Sequence, residues 1–249
     1  MYDFDYAKPT TVADAVKALG VEDAQPIAGG QTLIPTLKQR LARPTVLVDL
    51  TGIDALKGIE ISGDSVTIKG ATTHAAVAAS AEVRAKIPGL AELAAHIGDP
   101  QVRNRGTIGG SVANDDPAAC YPAAVLGLGA TVLTDRREIP ADDFFVAMFT
   151  TALEEGEIVT GVRFPIPEMS NYQKFVQPAS RFALTGVYAA KTTAGPRVAV
   201  TGASNDGVFR WTEAEQALAS GWSAEAIEPL ATPDASNMIG DIHGSPDYR

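Results

Sequence analysis

A single cysteine, Cys120, stands in the 249 residues. One thiol excludes an internal disulfide and any zinc or iron-sulfur site held by several thiolates of this chain. Positive charge is also short: 20 Lys and Arg against 30 Asp and Glu leave a net charge of −10. Such a field repels phosphate backbones and anionic membrane surfaces, so nucleic acid is not an expected partner. Histidine is scarce, and His74, His96 and His243 are scattered without metal-ligand spacing; each reads as a surface or packing residue, and no metal is indicated. The one long uncharged stretch, residues 117–134, is broken by Pro117, Pro122, Gly127 and Gly129 and reads as a helix followed by a strand, so no membrane span is expected. The opening Met1 to Asp5 has neither a basic nor an apolar signal segment, and a cytoplasmic location is expected.

What remains is globular in character, with 45% hydrophobic and 20% charged residues. Thr11-Val12-Ala13-Asp14 resembles a capping box, and Val12, Ala15, Val16 and Leu19 follow at helical spacing until Gly20. Ala24 to Ala28 reads as a strand broken by Gly29-Gly30. Leu33, Ile34, Leu37 and Leu41 then share a helical face as far as Pro44, and Thr45 to Leu50 reads as a buried strand. Strand, glycine turn, helix and strand make a βαβ unit with parallel strands.

Past Lys57 the pattern alternates: Ile59 to Ile61, the turn Gly63-Asp64 and Val66 to Ile68 predict an antiparallel hairpin. Thr73 is placed to cap a helix through Ala79, Gly89 to Ile97 predicts another, and Asp116 with Pro117 predicts the start of a helix reaching Leu128. Strands are predicted over Ala130 to Thr134, Val159 to Phe164, Tyr188 to Thr192 and Arg197 to Thr201, with a helix over Thr212 to Leu218. The expected domains are 1–57, 58–170 and 171–249, the last a small α+β unit.

Two glycine pairs, Gly29-Gly30 and Gly109-Gly110, lie at or shortly before predicted helix starts, flanked by Gln31, Thr32, Thr107 and Ser111. Glycine lets backbone approach a ligand and present consecutive N–H groups, which suits a diphosphate. Either pair taken singly is equally an ordinary tight turn; together they suggest one ligand between two lobes. Gly-x-Gly-x-x-Gly after the first strand, the P-loop pattern and Gly-x-Ser-x-Gly are all missing, so the usual nucleotide and serine-nucleophile signatures give no support. Cys120 reads as an inert buried thiol.

Ala28-Gly29-Gly30-Gln31-Thr32-Leu33-Ile34-Pro35, with Thr107-Ile108-Gly109-Gly110-Ser111 and Pro117 before Tyr121-Pro122, resembles the FAD-binding medium subunit of molybdenum hydroxylases, relatives of carbon monoxide and xanthine dehydrogenases. The likeness extends over nearly the whole chain, including Phe4-Asp5-Tyr6, Leu47 to Leu50 and Asp99 to Arg103. It implies an α+β, two-lobed FAD-binding fold: an N-terminal βαβ lobe, a larger mainly antiparallel lobe and a small C-terminal domain. It further implies a large partner subunit with a molybdenum cofactor and a small partner subunit with 2Fe-2S clusters, assembled as a dimer of heterotrimers. This chain would hold FAD and relay electrons from those clusters to an external acceptor.

By the same resemblance the cofactor contacts would be Ile27, Ala28, Gly29, Gly30, Gln31, Thr32 and Leu33 on the first loop, and Thr107, Ile108, Gly109, Gly110 and Ser111 on the second. Lys174 would lie near the flavin ring, where a cation favours the anionic reduced form, although it also reads as a solvated strand lysine. Phe182 would cover the ring or else pack in the core, and Ile158 and Val159 would face the flavin by their backbone or be plain strand residues. Ser111 replaces the family's usual Asn, Arg181 stands where an acidic residue is common, and Cys120 replaces a cofactor-bonding Asp; either Asp116 or Asp115 supplies the lost contact, or flavin is held less tightly. The chain stops at Arg249, where relatives continue into an Arg-rich helix, so a shortened last domain is expected. Two other readings are a self-sufficient FAD oxidase or reductase, for which no histidine is seen beside either loop, and a cofactor-free scaffold subunit.

Overall fold

The computed structural model describes residues 1–249. The first sheet is parallel, with β1 (Asp5–Ala7), β2 (Gln25–Ile27) and β3 (Val46–Asp49) in the order β1-β3-β2. Helix α1 (Val12–Leu19) joins β1 to β2; the Thr11 hydroxyl accepts from the Asp14 N–H, and Ala15 and Leu19 turn inward. Helix α2 (Leu33–Lys38) joins β2 to β3 and is shorter than its apolar spacing predicts. Arg40, at φ 61°, ends it, with the Leu41 N–H bonding back to the Thr36 carbonyl, and this closure throws Leu41 outward to 74% exposure.

The second sheet is antiparallel: β4 (Ile59–Ser62), β5 (Ser65–Lys69), β6 (Thr131–Thr134) and β7 (Glu138–Pro140) join β10 (Val159–Pro165) in the order β4-β5-β10-β6-β7. A small hairpin, β8 (Phe145–Ala147) with β9 (Thr150–Thr151), stands apart from it. Five helices run between β5 and the segment before β6: α3 (His74–Ala79), α4 (Ala81–Lys86), α5 (Pro88–Ala95), α6 (Pro100–Arg103) and α7 (Ile108–Asn114). Then comes α8 (Tyr121–Gly127), every residue of which is buried.

One expectation is corrected here. Asp116 and Pro117 do not open a helix: Asp116 Oδ1 accepts from the Ala118 N–H, 2.9 Å away, in a separate turn, and α8 begins at Tyr121. Gly109 and Gly110 do stand at a helix start, but of a helix that the spacing does not predict: they form the first turn of α7, capped by Thr107.

The third sheet runs in chain order, β11 (Met169–Val176), β12 (Ala183–Thr192), β13 (Gly195–Ser204) and β14 (Gly207–Arg210), all antiparallel. A helix over Thr212–Ser220 covers one face through Ala214 and Leu218 against Val198. One core of 31 buried residues joins the second sheet, through Val66, Ile68 and Phe164, to the third, through Tyr172, Tyr188 and Ala199. A smaller core of eight residues sits under the parallel sheet and takes in Ala71, just after β5, and Ile158, just before β10. No helix is long and apolar enough to cross a membrane.

Candidate functional site

A cleft of about 770 Å³ opens where the loops of the first two sheets meet the β11–β12 turn. Its size lies within the range of about 300–1,000 Å³ common for small-molecule and cofactor sites. The first loop leaves β2 at Ile27, turns at Gly30 with φ 71°, and enters α2 at Leu33. The six N–H groups of Ala28 to Leu33 make no hydrogen bond within the chain, and all six residues line the cleft. Unused consecutive donors are the usual raw material of an anion cradle.

The second loop is built otherwise. Its N–H groups are already engaged: Ile108 donates to the Thr72 carbonyl at 3.1 Å, Gly109 to Gly70 at 2.8 Å, and Ser111 to Thr107 at 3.0 Å. Gly110 donates to Thr107 Oγ1 at 3.2 Å. The expectation that both glycine pairs present free amides therefore holds for the first loop only. Gly109 is needed for packing, since a Cβ there would lie 2.6 Å from the Gly70 carbonyl oxygen, whereas Gly110 is exposed to the cleft. The two loops nevertheless meet, because a Cβ on Gly29 would strike the backbone of Arg105 and Gly106.

Of the other candidates, Ile158 and Val159 line the cleft while remaining buried. The Ile158 N–H donates to Asp135 Oδ1 and its carbonyl accepts from the Asp135 N–H, so neither group is free. Lys174 reaches the cleft from β11 with Nζ 3.0 Å from the His96 carbonyl. Phe182, at 54% exposure on the rim, is not a core residue. Gln31, Thr32, Thr107, Ser111 and Asp116 also line the cleft. Ile108 alone among the candidates does not; its side chain is fully buried in the main core.

Several lining residues escaped the sequence reading. His74 is buried with Nδ1 unpartnered, its Nε2 lies against Gly106, and its ring meets Tyr121 at 5.3 Å. Burial, reinforced by Arg103, holds its pKa down at about 4, so the ring is neutral. The expectation that no histidine lies beside either loop is thus overturned; only its place after a helix cap could have drawn attention to it. Glu157 receives Arg137 Nε and Nη2 at 3.0 and 2.9 Å, Thr134 Oγ1 at 2.7 Å and the Glu154 N–H at 2.8 Å. Those bonds, Arg137 foremost, hold its pKa at about 2. Cys120 lies in the cleft wall at 4% exposure, and Asp115 points away from the cleft into the interior, its two oxygens without partners.

The donor set fits a flavin dinucleotide: free amides for a diphosphate, Lys174 and Arg181 for negative charge, and an aromatic rim at Phe182. A family model described as the FAD binding domain in molybdopterin dehydrogenase matches residues 2–167. The nicotine 6-hydroxylase medium subunit of Paenarthrobacter nicotinovorans is 37% identical over 257 residues, covering 98% of this chain and 91% of its own. The carbon monoxide dehydrogenase medium chain of Hydrogenophaga pseudoflava is 34% identical over 264 residues, covering 99% and 91%. A solved structure, reconstituted CO dehydrogenase from Oligotropha carboxidovorans, superposes with a TM-score of 0.89 at 33% identity, over 99% of this chain and 92% of that one. With the cleft, the loops and these likenesses in agreement, the chain belongs to the FAD-binding subunits of the molybdenum hydroxylase family of oxidoreductases.

Proposed function

We propose that this chain relays electrons from the 2Fe-2S clusters of a small partner subunit to an external acceptor, while substrate is oxidised at the molybdenum cofactor of a large partner subunit. The observation that carries the reading is the run of six unengaged N–H groups from Ala28 to Leu33 on the wall of one cleft. These amides, joined by Gln31 and Thr32, take the diphosphate; Thr107, Gly110, Ser111 and Asp116 form the facing wall, and Ile158 and Val159 supply its apolar floor. Lys174 places a cation where the reduced ring gathers negative charge, and Phe182 shields that ring from water. The chemistry supplied by bound FAD is exchange between one-electron and two-electron transfer. In this reading the complex is a cytoplasmic dimer of heterotrimers; the medium-chain names of the relatives support the presence of a larger and a smaller partner chain.

Titrating the flavin-free chain with FAD, and following the quenching of flavin fluorescence, tests the site; saturation at one FAD per chain is expected, and no saturable binding would overturn it. Native mass spectrometry of the assembly purified from its host tests the relay. Two further chains carrying molybdenum and iron are expected, and a lone flavoprotein would refute the partnership.

A further inference from the structure

The cleft wall formed by Asp116, Ala118, Ala119 and Cys120 belongs to a turn with few bonds of its own. Within it, the Ala118 N–H reaches Asp116 Oδ1 and the Ala119 N–H the Asp116 carbonyl. Pro117 brings no N–H at all, and the carbonyls of Pro117 and Ala119 find no donor in the turn. Both are satisfied from the third sheet. Thr201, fully buried on β13, places Oγ1 2.9 Å from the Pro117 oxygen and 2.7 Å from the Ala119 oxygen. The next N–H, that of Gly202, donates to the Pro117 oxygen at 2.6 Å. Gly202 can do so because it adopts φ +82° beneath the carbonyls of Ala183 and Leu184, where a Cβ would have no room.

We infer that Thr201 is a positioning residue of the cofactor cleft: its hydroxyl, shared between two carbonyls more than 80 residues away, holds the turn that presents Asp116 and Cys120 to the cleft. The inference rests on the FAD reading above and extends it to β13, which supports this wall without lining the cleft. The hydroxyl, not the volume of the side chain, is what matters. Thr201→Val keeps the shape and leaves the Ala119 carbonyl without a donor; Thr201→Ser keeps the donor.

Because Cys120 is the chain's sole cysteine and is held at 4% exposure by this turn, its labelling by a thiol reagent reports the brace without any flavin. In the flavin-free full chain, Thr201→Val should label about tenfold faster than wild type and bind FAD about tenfold more weakly, with Thr201→Ser within about twofold of wild type on both counts. Unchanged labelling in Thr201→Val would overturn the inference, as would faster labelling with unaltered FAD affinity. Wild-type protein that fails to bind FAD would defeat the proposed function and this inference together; wild type that binds, with Thr201→Val binding equally, would defeat the inference alone. Should Thr201→Val not fold, the unaltered chain still decides: the Gly202 amide and the Cys120 thiol should open in one event with a common denaturant dependence, and an earlier, separate opening of Cys120 would sink the brace.

Discussion

A β-carbon placed on Gly29 would lie 2.1 Å from the carbonyl oxygen of Arg105, so the two glycine loops touch backbone to backbone. Nothing can yield there except the loops themselves. Gly29→Ala should therefore part the loops and weaken FAD binding by at least about tenfold, an effect of roughly 1.4 kcal/mol or more. Gly110→Ala, whose added carbon meets only Thr107 Oγ1 at 3.1 Å, should leave the loops in contact and lose less FAD affinity than Gly29→Ala, the loss coming from the methyl entering the cleft. Fluorescence titrations of both variants check the contrast.

Gly109 makes a different demand. Its missing Cβ lets α7 sit on the Gly70 backbone, so Gly109→Ala should lower stability by about 1–3 kcal/mol in the absence of any flavin. Urea unfolding of the flavin-free variant measures this. A variant as stable as wild type that had merely lost FAD would return Gly109 to the list of cofactor contacts.

Asp115 carries the opposite kind of pH dependence from most carboxylates. Burial, with Asp116 beside it, pushes its pKa up to about 7 from an ordinary 3.8, so the folded chain binds a proton that the unfolded chain has released. Stability from this group therefore falls as pH rises between about 4 and 7 and is level above that. Asp115→Asn, which also tolerates the left-handed backbone at φ 43°, should remove the slope and gain stability at pH 8, on the order of a few kcal/mol, with little change at pH 4. Urea melts across that range would expose a failure as parallel curves for variant and wild type.

Glu157 behaves conventionally. Arg137 and two further donors, Thr134 and the Glu154 N–H, depress its pKa to about 2, so its contribution is complete above about pH 4.5 and is lost as pH falls toward 2. Glu157→Gln should be less stable at neutral pH and should show a shallower acid limb over that interval. Acid titration followed by circular dichroism is the measurement, and coincident limbs would contradict it.

Much of the local architecture was legible. The Thr11 and Thr73 caps form as their spacing predicts, the β4–β5 hairpin turns at Gly63-Asp64, and β2 and β3 run parallel across a helix. β1 escaped notice, and β11 was marked only by reading Lys174 as a strand lysine, for a physical reason. β1 is three residues long and gains its partner only when β3 arrives, and β11 buries Tyr172 alone among eight residues, leaving no alternation to read. The apolar stripe through Leu41 misled in the other direction, because the left-handed closure that breaks the helix falls on Arg40 and not on the glycine or asparagine that usually marks it.

The order of caps, glycines and turn residues determined by itself where the chain bends and which two loops are glycine-rich, since those are preferences of neighbouring residues for particular backbone angles. Only the tertiary structure decided which amides stay unbonded. The Gly109 N–H is consumed by Gly70 and the Ile108 N–H by Thr72, while Ala28 to Leu33 meet no acceptor; the Pro117 and Ala119 carbonyls wait for Thr201. A donor or acceptor is free or engaged according to what is brought beside it in space, and these partners lie from about 40 to more than 80 residues apart along the chain.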